Sequence, residues 1–525
     1  MTADNAAKAG RREWAGLAVL ALPTLLMAMD FTVLYLALPR LSTDLGTSGT
    51  QQLWIVDIYG FMIAGFLVTM GTLGDRIGRR RLLLAGAAVF GLASVLAAYA
   101  ASPWLLIVAR GLMGVAGATV VPSTLALIGN MFTNPRQRAI AVAVWMSCFQ
   151  AGMAIGPLVG GALLSTFWWG SVFLLGAPVM ALLLFAGPKL LPEFRDTTQP
   201  ARPDLTSVAL SLVAILPFIY GLTQLGYGDT GLLPILAVPL GAAAGVLFVM
   251  RQRSLASPLV DLGLFRNRSF TAALVVYGLP GVIGTGSYLF INLYLQSVGG
   301  LSPLTAGLLL TPAAAAMIAG SMLAPVLARR IRPSLLIVAG LVVAAVGHVL
   351  LTQVDAVTGV PLVVAGYLVT GLGVGPMTAL IPDLVVGAVA PTRAGSAASL
   401  MQTSGELGLG LGVALLGSLG GMVYRDRLAD TVPPGLPASA ADAAHRSIDS
   451  AVDTATHLPG TLGPDLLAAA RAAFTTGLNV VGAVCAAAML LCALIAAVTL
   501  RHVQPTGSAD APQVAQPDPD RAPQA

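Results

Sequence analysis

Charged residues are scarce in this 525-residue chain, in which Asp, Glu, Lys and Arg make up 10% of the residues and hydrophobic residues 56%. Soluble globular proteins carry about 25% charged residues, so the composition excludes an ordinary soluble domain and predicts an integral membrane protein. The net charge of +5 does not indicate nucleic-acid binding. The basic residues stand in small groups between apolar runs and do not form a basic stripe with interleaved aromatic residues.

Lysine, histidine and cysteine are also scarce, and each shortage excludes a class of function. The only lysines are Lys8 and Lys189, and neither follows a glycine-rich loop that could hold nucleotide phosphates. The 4 histidines lack metal-ligand spacing. The 3 cysteines fall within apolar runs and are expected to be small buried side chains. We therefore expect no enzymatic activity, no metal and no cofactor, and an ion gradient as the source of energy for any uphill movement.

Long apolar runs recur along the whole chain, and about 20 apolar residues suffice to cross ~30 Å of hydrocarbon. The first run is too long for the apolar core of a cleaved signal peptide. The sequence predicts fourteen spans, near residues 15–39, 52–73, 82–101, 103–128, 138–161, 167–190, 206–225, 231–250, 270–297, 304–327, 333–352, 361–385, 396–423 and 474–500.

The loops between these runs indicate the orientation of the chain. Most of the 28 Lys and Arg residues fall in alternate loops, which places both termini in the cytoplasm by the positive-inside rule. The longest outer segment, 424–473, has helical composition and could form a short hairpin. The tail 503–525 is rich in Pro, Ala and Asp, has almost nothing to bury, and is expected to be disordered.

Three acids lie well inside predicted spans: Asp30, Asp57 and Glu406. Ionisable side chains at membrane depth cost about 2.5–3.5 kcal/mol on insertion scales and usually face an internal cavity. From the rise per helical residue, Asp30 is about 13 Å from the outer surface, Asp57 about 8 Å and Arg110 about 10 Å. Glu406 is about 15 Å from the cytoplasm, near the midplane. It has no basic partner in the second half, so it is expected to take up a proton near neutral pH.

Asp30 and Arg110 are close enough in depth to meet. They would form either a permanent structural ion pair or a switchable pair, in which protonation of the acid or binding of a cation releases the arginine.

Aromatic and amide side chains accompany the other two acids at helical spacing. Trp54 and Phe61 stand three before and four after Asp57, so a cation there could meet a carboxylate and two ring faces. Such a stripe more often faces lipid or serves packing. Gln402 shares a helix face with Glu406 in the same way.

Glycine recurs every four residues in CFQAGMAIGPLVGG, at Gly152, Gly156 and Gly160. This spacing puts the three glycines on one face and lets a second helix approach closely. Pro157 is expected to bend this span.

Several of these motifs together resemble the major facilitator superfamily. GTLGDRIGRRR resembles its signature loop, RGLMGVAGA its fourth-span motif and GMAIGPLVGG its antiporter motif. MDFTVLYLALP and PLVDLGLFRNRSF resemble the fourteen-helix drug:proton antiporters, and WIVDIYGF with ELGLGLGVALLGSLGGMVYRDRL is most similar to exporters of quaternary ammonium compounds and dyes.

The resemblance implies an all-α membrane fold of two six-helix bundles plus two extra central helices. The implied division is a cytoplasmic N-terminus (1–13), an N-terminal bundle (14–190), the extra helix pair (206–250), a C-terminal bundle (266–500) and the tail. It implies proton exchange and alternating access around a central site. The implied roles are proton coupling for Asp30, Arg110 and Glu406; substrate binding for Asp57, Trp54, Phe61, Gln402 and Glu406; and conformational motifs comprising Asp75, Arg76, Arg79, Arg80, Gly152, Gly156, Pro157, Gly160 and Gly161.

The sequence departs from this family at two places. LAPVLARRIRP, the second-half equivalent of the signature loop, has lost its acid, and the span at 304–327 lacks an acid, which favours monovalent cations. We therefore expect a monomeric plasma-membrane antiporter for lipophilic, mainly monovalent cationic drugs, dyes and antiseptics. The alternatives are an exporter of one endogenous metabolite or antibiotic, and a membrane protein that senses lipophilic ligands without transporting them.

Overall fold

The computed structural model describes residues 9–193, 204–226, 231–255, 258, 260, 262–389 and 394–500, with some side chains in the helices excepted. These residues form eighteen α-helices, one 3-10 turn at Leu262–Arg266 and one π-helical turn at Tyr294–Val298. The helices are α1 (Arg11–Leu45), α2 (Gly49–Ile77), α3 (Arg79–Ala98), α4 (Pro103–Gly117), α5 (Val120–Met131), α6 (Pro135–Thr166), α7 (Ser171–Leu174), α8 (Gly176–Leu190), α9 (Leu205–Gly226), α10 (Leu232–Ser254), α11 (Arg268–Leu293), α12 (Pro303–Leu327), α13 (Pro333–Leu351), α14 (Val360–Gly387), α15 (Ala394–Ala429), α16 (Ala438–Arg446), α17 (Ile448–His457) and α18 (Leu462–Thr499).

The apolar runs form helices because a backbone in hydrocarbon must satisfy its hydrogen bonds within its own segment. Two helix starts on the predicted outer side show how the local sequence sets the boundary. The Ser102 hydroxyl accepts from Leu105 N at 3.3 Å, and the Ser302 hydroxyl accepts from Thr305 N at 3.2 Å. A proline follows each serine at the first helical position, where its missing N–H costs nothing.

In the described part of the chain, 11 helices are long and apolar enough to cross a membrane, or 12 if the bent α6 is taken as one span. Helices α2 and α9 also follow predicted spans, although they are not among these. The all-helical membrane fold is therefore confirmed, and fourteen spans are consistent with the structure.

The helices pack as two groups, α1–α8 and α11–α15 with α18, which we call the N-half and the C-half. Helices α9 and α10 form an antiparallel pair, and α9 packs against α2 and α15. The extra pair therefore lies alongside the seam at which the two halves meet. The five-part domain division stays a prediction, and the tail 503–525 and residues 1–8 lie outside the described residues.

The halves meet through α2 with α15 and through α6 with α12, near their predicted outer ends. A Cβ on Gly417 of α15 would lie 2.7 Å from Leu53 Cδ2 of α2. A Cβ on Gly161 of α6 would lie 2.6 Å from the Cα of Leu304, at the start of α12. Both contacts occur at a glycine, which has no side chain to keep the helices apart, so the outer ends of the halves are packed tightly against each other.

The outer segment folds as predicted into two short helices, α16 and α17, which pack on each other and on α18 through α17. Tyr424, near the end of α15, donates its hydroxyl to the carbonyl of Ala444 in α16 at 2.9 Å. The segment is thus fixed to the outer end of the C-half.

Candidate functional site

Asp30 of α1 and Arg110 of α4 form a buried ion pair, as their matched depths predicted. The Arg110 side chain is 1% exposed and that of Asp30 11%. Asp30 also lines a small cavity inside the N-half, between α1, α3, α4 and the α7–α8 segment. The carboxyl therefore has a charged partner on one side and this small cavity on the other.

Arg110 makes further contacts that hold its guanidinium in place. Nε donates to the carbonyl of Ile55 at 3.1 Å, and a terminal nitrogen donates to that of Val56 at 3.5 Å. The guanidinium carbon lies 4.5 Å from the ring centroid of Tyr59, which gives the charge a cation–π partner. Because Ile55 and Val56 precede Asp57 in α2, Arg110 links the helix that carries Asp30 to the helix that carries Asp57.

The glycine face of α6 packs against the part of α1 that carries Asp30. A Cβ on Gly152 or Gly156 would clash with the Leu25 carbonyl or the Thr32 hydroxyl, respectively, and one on Gly160 would lie 2.8 Å from Val33. Asp30 is therefore placed between the glycine helix and the arginine helix.

The opposite side of the glycine motif in α6 faces the C-half. Gly161 meets the start of α12, and a Cβ on Gly307 of α12 would clash with the Pro157 carbonyl. The helix is bent by 42° between the segments Ile140–Met153 and Ile155–Thr166. Pro157 has no N–H to donate to Met153, four residues earlier, so the predicted bend lies where the proline removes a hydrogen bond.

Asp57 is 4% exposed and points into the N-half, close enough to Arg110 and to the Tyr35 hydroxyl for electrostatic interaction. The ring of Tyr35 contacts that of Tyr288 on α11 edge-to-face at 5.1 Å, and Tyr288 contacts Tyr367 on α14 at 5.7 Å. A row of three tyrosines thus leads from Asp57 across the boundary between the halves.

The sequence prediction missed these tyrosines. They belong to three helices that are far apart in the chain, and no motif or helical spacing relates them. A tyrosine five residues after Asp30 was the only local signal, and it could not reveal partners on α11 and α14.

Trp54 and Phe61 of α2 contact aromatic and apolar side chains of neighbouring helices. Their rings contact each other edge-to-face at 6.4 Å, and Trp54 also meets Tyr220 of α9 at 6.5 Å. Phe61 is fully buried beside Ile219 of α9 and Ala414 of α15. Both aromatic residues therefore pack where α2, α9 and α15 meet, and their assignment to substrate binding stays a prediction.

Known proteins with similar sequences and folds cover nearly the whole chain. The Major Facilitator Superfamily model matches residues 20–413. The chain belongs to the Major Facilitator Superfamily.

Among curated proteins, "Multidrug efflux pump LfrA" of Mycolicibacterium smegmatis is 42% identical over 491 residues, which cover 94% of this chain and 97% of that protein. "Methyl viologen resistance protein SmvA" of Salmonella typhimurium is 35% identical, covering 88% and 93%. A solved structure of a bacterial homolog of the human lysosomal transporter Spinster, inward-facing and unoccupied, has a TM-score of 0.66 at 16% identity, covering 94% and 97%. Its similarity concerns the fold alone. This superfamily member is thus a multi-pass transporter of the cell membrane.

The signature loop of the superfamily connects α2 to α3 through Gly78, whose φ of 112° favours glycine. Arg80 bonds to the end of the N-half, with its Nε 3.5 Å from Glu193 and a terminal nitrogen donating to the Leu191 carbonyl at 3.0 Å. Arg79 is buried and Arg76 exposed. Glu193, which the sequence prediction missed, binds the loop through Arg80.

Three predicted residues have side chains outside the described part of the structure: Asp75 in α2, and Gln402 and Glu406 in α15. Between these two positions in α15, Gly405 packs against α11, since a Cβ on it would lie 3.0 Å from the ring of Tyr277. The roles of these three residues stay predictions.

Proposed function

We propose that this superfamily member is a proton-coupled antiporter that exports lipophilic, mainly monovalent cationic drugs, dyes and antiseptics by alternating access. The observation that carries the proposal is the buried pair of Asp30 and Arg110 beside Asp57. Two acids share one arginine inside the N-half, so a change of charge on either acid alters how strongly the arginine is held by the other. Such competition is what exchange of a proton for a cation requires.

The coupling step follows from the contacts of Arg110. A proton on Asp30 cancels the ion pair, and the guanidinium then interacts more strongly with the α2 carbonyls and with Asp57. A cation beside Asp57 has the opposite effect, because it repels the guanidinium toward Asp30 and favours the ionised form of that acid. Proton and drug would therefore be bound in alternation.

The substrate region of the proposal extends from Asp57 along the tyrosine row to the C-half. Tyrosine rings attract organic cations through their faces, and their contact across the boundary makes the site depend on the relative position of the halves. Glu406 and Gln402 would add a carboxylate and an amide from α15. Helix α12 contains no acid, which favours single positive charge.

Relatives and energetics support the same function. The relatives named as a multidrug efflux pump and a methyl viologen resistance protein match almost end to end. Moving one positive charge outward against 100 mV costs about 2.3 kcal/mol, and an inward proton can offset that cost.

The decisive test is ethidium efflux from preloaded cells that express the chain, with and without a protonophore. We expect rapid efflux that stops when the gradient collapses. Proteoliposomes with purified protein and an imposed pH gradient, at zero membrane potential, test the coupling ion directly. Efflux that continues without a proton gradient would disprove the proton coupling, and failure to move any cationic dye would disprove the substrate class.

A further inference from the structure

Helix α17 of the outer segment contacts both halves of the molecule. It packs against α1 of the N-half, and against α18 and the π-helical turn of the C-half. Because it bridges the seam on the predicted outer side, opening of that side must separate α17 from at least one half. The contacts that hold α17 in place therefore affect how readily the outer side opens.

Asp449, the second residue of α17, is the polar group at this contact. It is 5% exposed. Its Oδ1 accepts a hydrogen bond of 2.5 Å from the hydroxyl of Ser297 in the π-helical turn, 152 residues earlier in the chain. Its Oδ2 is enclosed and has no hydrogen-bond partner in the part of the chain that the structure describes. Among the described residues no ion pair includes Asp449, so a single neutral donor serves a buried carboxyl group.

Charged and titratable groups on the surrounding elements are bonded elsewhere or face a neighbouring cavity. The Arg471 Nε of α18 donates to the Ser297 carbonyl at 3.3 Å, and the Arg40 side chain of α1 donates to the Leu164 carbonyl. His445 and Arg446 of α16 line a cavity between the halves. Other such groups near the outer ends of these elements include Asp44 of α1, Asp442 of α16, Tyr424 and Arg425 of α15, Tyr294 of the π-helical turn and Asp465 of α18. Arg425 lines the same cavity as His445 and Arg446, and Tyr424 is close enough for electrostatic coupling to Asp449.

We propose that Asp449 is a proton-binding site on the outer surface, and that its protonation decides whether α17 is docked on the seam. The protonated, neutral carboxyl group of Asp449 can donate a hydrogen bond to the Ser297 hydroxyl or accept one from it, and it can remain buried. Among the described residues the carboxylate has one hydrogen bond and no ion-pair partner, so its burial is costly and undocking lets water solvate it.

The direction of the pH dependence follows from the same contacts. Burial raises the pKa of Asp449 to about 6, and the hydrogen bond from Ser297 opposes this rise. The undocked carboxyl has an ordinary pKa of about 4. Docking is therefore strongest below about pH 4, weakens by up to about tenfold per pH unit between about 4 and about 6, and is constant above. The proposal is independent of drug export, because it concerns only the outer segment and its contacts.

The test measures docking directly in the purified full-length chain. Spin labels are placed on the exposed residues Thr456 of α17 and Val357 of the C-half, after Cys148, Cys485 and Cys492 are replaced by alanine. Electron–electron double resonance then gives the distance between the labels from about pH 4 to about pH 8. This range includes the pKa values of Asp449 in the docked and in the undocked state. We expect a second, longer distance to gain population as pH rises toward about 6.

Two variants and one control separate this site from other acids. Asp449→Asn should hold the docked distance at every pH, because the amide is uncharged and can still accept from Ser297. Ser297→Ala should move the transition to higher pH, since it removes the bond that stabilises the carboxylate. Asp453→Asn, at an exposed acid of the same helix, should keep the wild-type transition. A wild-type distance that does not change with pH, or an Asp449→Asn variant that retains the transition, would overturn the proposal.

Discussion

At the scale of single residues, the N-half contains one arginine between two acids. Arg110 is almost fully buried, is bonded to Asp30 and to two α2 carbonyls, and lies over the Tyr59 ring. A buried guanidinium cannot lose its proton, so the variable charges in this compartment are those of Asp30 and Asp57. The function of this site should therefore depend on the charges of the two acids, because the charge of Arg110 stays constant.

Asp30→Asn should reduce gradient-driven efflux of every substrate to the level of cells without the protein, because an amide cannot bind and release a proton. Dye binding to the purified variant should largely survive. Efflux assays in energised cells and fluorescence titrations with ethidium measure the two effects. Asp44→Asn, at an exposed acid of the same helix, is the matched control and should pump normally. Efflux at the wild-type rate in Asp30→Asn would leave this acid a purely structural role.

Glu406→Gln should weaken the binding of monovalent cations and spare an uncharged substrate of similar size, because only the cation uses the carboxylate. Addition of dye to detergent-solubilised wild-type protein should release protons, and the variant should release fewer. Glu406→Asp should retain part of the cation affinity, since the charge remains on a shorter side chain. If Glu406→Gln binds cations as tightly as the wild type, the counter-charge comes from Asp57 or Asp30.

At the scale of helices, α6 is in close backbone contact with neighbouring helices on two sides. Helix α6 contacts α1 through Gly152, Gly156 and Gly160 on one side, and contacts α12 through Gly161 on the other. Small residues allow such approach, and membrane helices associate largely through this packing. Added volume on this helix should act on the relative motion of its neighbours more than on insertion into the membrane.

Gly156→Ala should leave the protein inserted and able to bind dye but should lower transport severalfold, because the new methyl group meets the Thr32 hydroxyl and lies 3.2 Å from the Met29 carbonyl. The matched control is Gly129→Ala in α5, where nothing lies within 4 Å of the added carbon. Transport rates normalised to membrane protein level measure the effect. Equal transport rates in the two variants would show that the glycine motif serves packing alone and has no specific role in transport.

The helix pair α9–α10 is joined at its cytoplasmic end by Asp204 and Arg251, whose two hydrogen bonds are 3.1 and 2.9 Å long. The hydrogen bonds from Arg251 lower the pKa of Asp204 to about 2. Stabilisation by this pair is therefore fully present above the ordinary carboxyl pKa and is lost as pH falls toward 2.

Asp204→Asn should lower the melting temperature of the purified protein at pH 7, and the difference from wild type should shrink in acid. A double-mutant cycle with Arg251→Gln isolates the pair, and Asp465→Asn, at an acid remote from this hairpin, serves as the control. A variant as stable as wild type at neutral pH would show that packing alone holds the hairpin.

At the scale of the whole molecule, the two halves are closed against each other at the predicted outer side. Leu53 and Gly417 meet there, and so do the outer parts of α6 and α12. In an alternating-access cycle these contacts must separate, so they are the places at which the cycle can be stopped by a covalent link.

A Leu53→Cys, Gly417→Cys double variant without the native cysteines should cross-link under mild oxidation and lose efflux, and reductant should restore it. Each single-cysteine variant should be insensitive to the oxidant. Cross-linking is followed by the shift on non-reducing gels after protease cleavage between the halves. A cross-linked protein that still pumps would show that this outer contact persists throughout transport.

The sequence predicted the features that follow from local composition and from depth in the membrane, and missed contacts that depend on how separate helices pack. Apolar runs specify the helices, glycine spacing specifies the contact face of α6, and matched depth brought Asp30 and Arg110 together. The tyrosine row, the Arg80–Glu193 pair and the Asp449–Ser297 bond each join residues from separate parts of the chain. Their positions follow from how helices pack, which a pattern within one helix does not encode.

The α9–α10 pair makes the two seams between the halves differ in how far they are covered from the lipid. At the seam of α2 and α15 the pair stands between the halves and the lipid, and α10 presents Leu236, Leu240 and Leu247 to the outside. Among the described residues no helix pair covers the seam of α6 and α12, and α12 exposes Leu308 and Met322. A lipophilic molecule dissolved in the membrane would therefore meet the helix pair at one seam and the exposed side chains of α12 near the other.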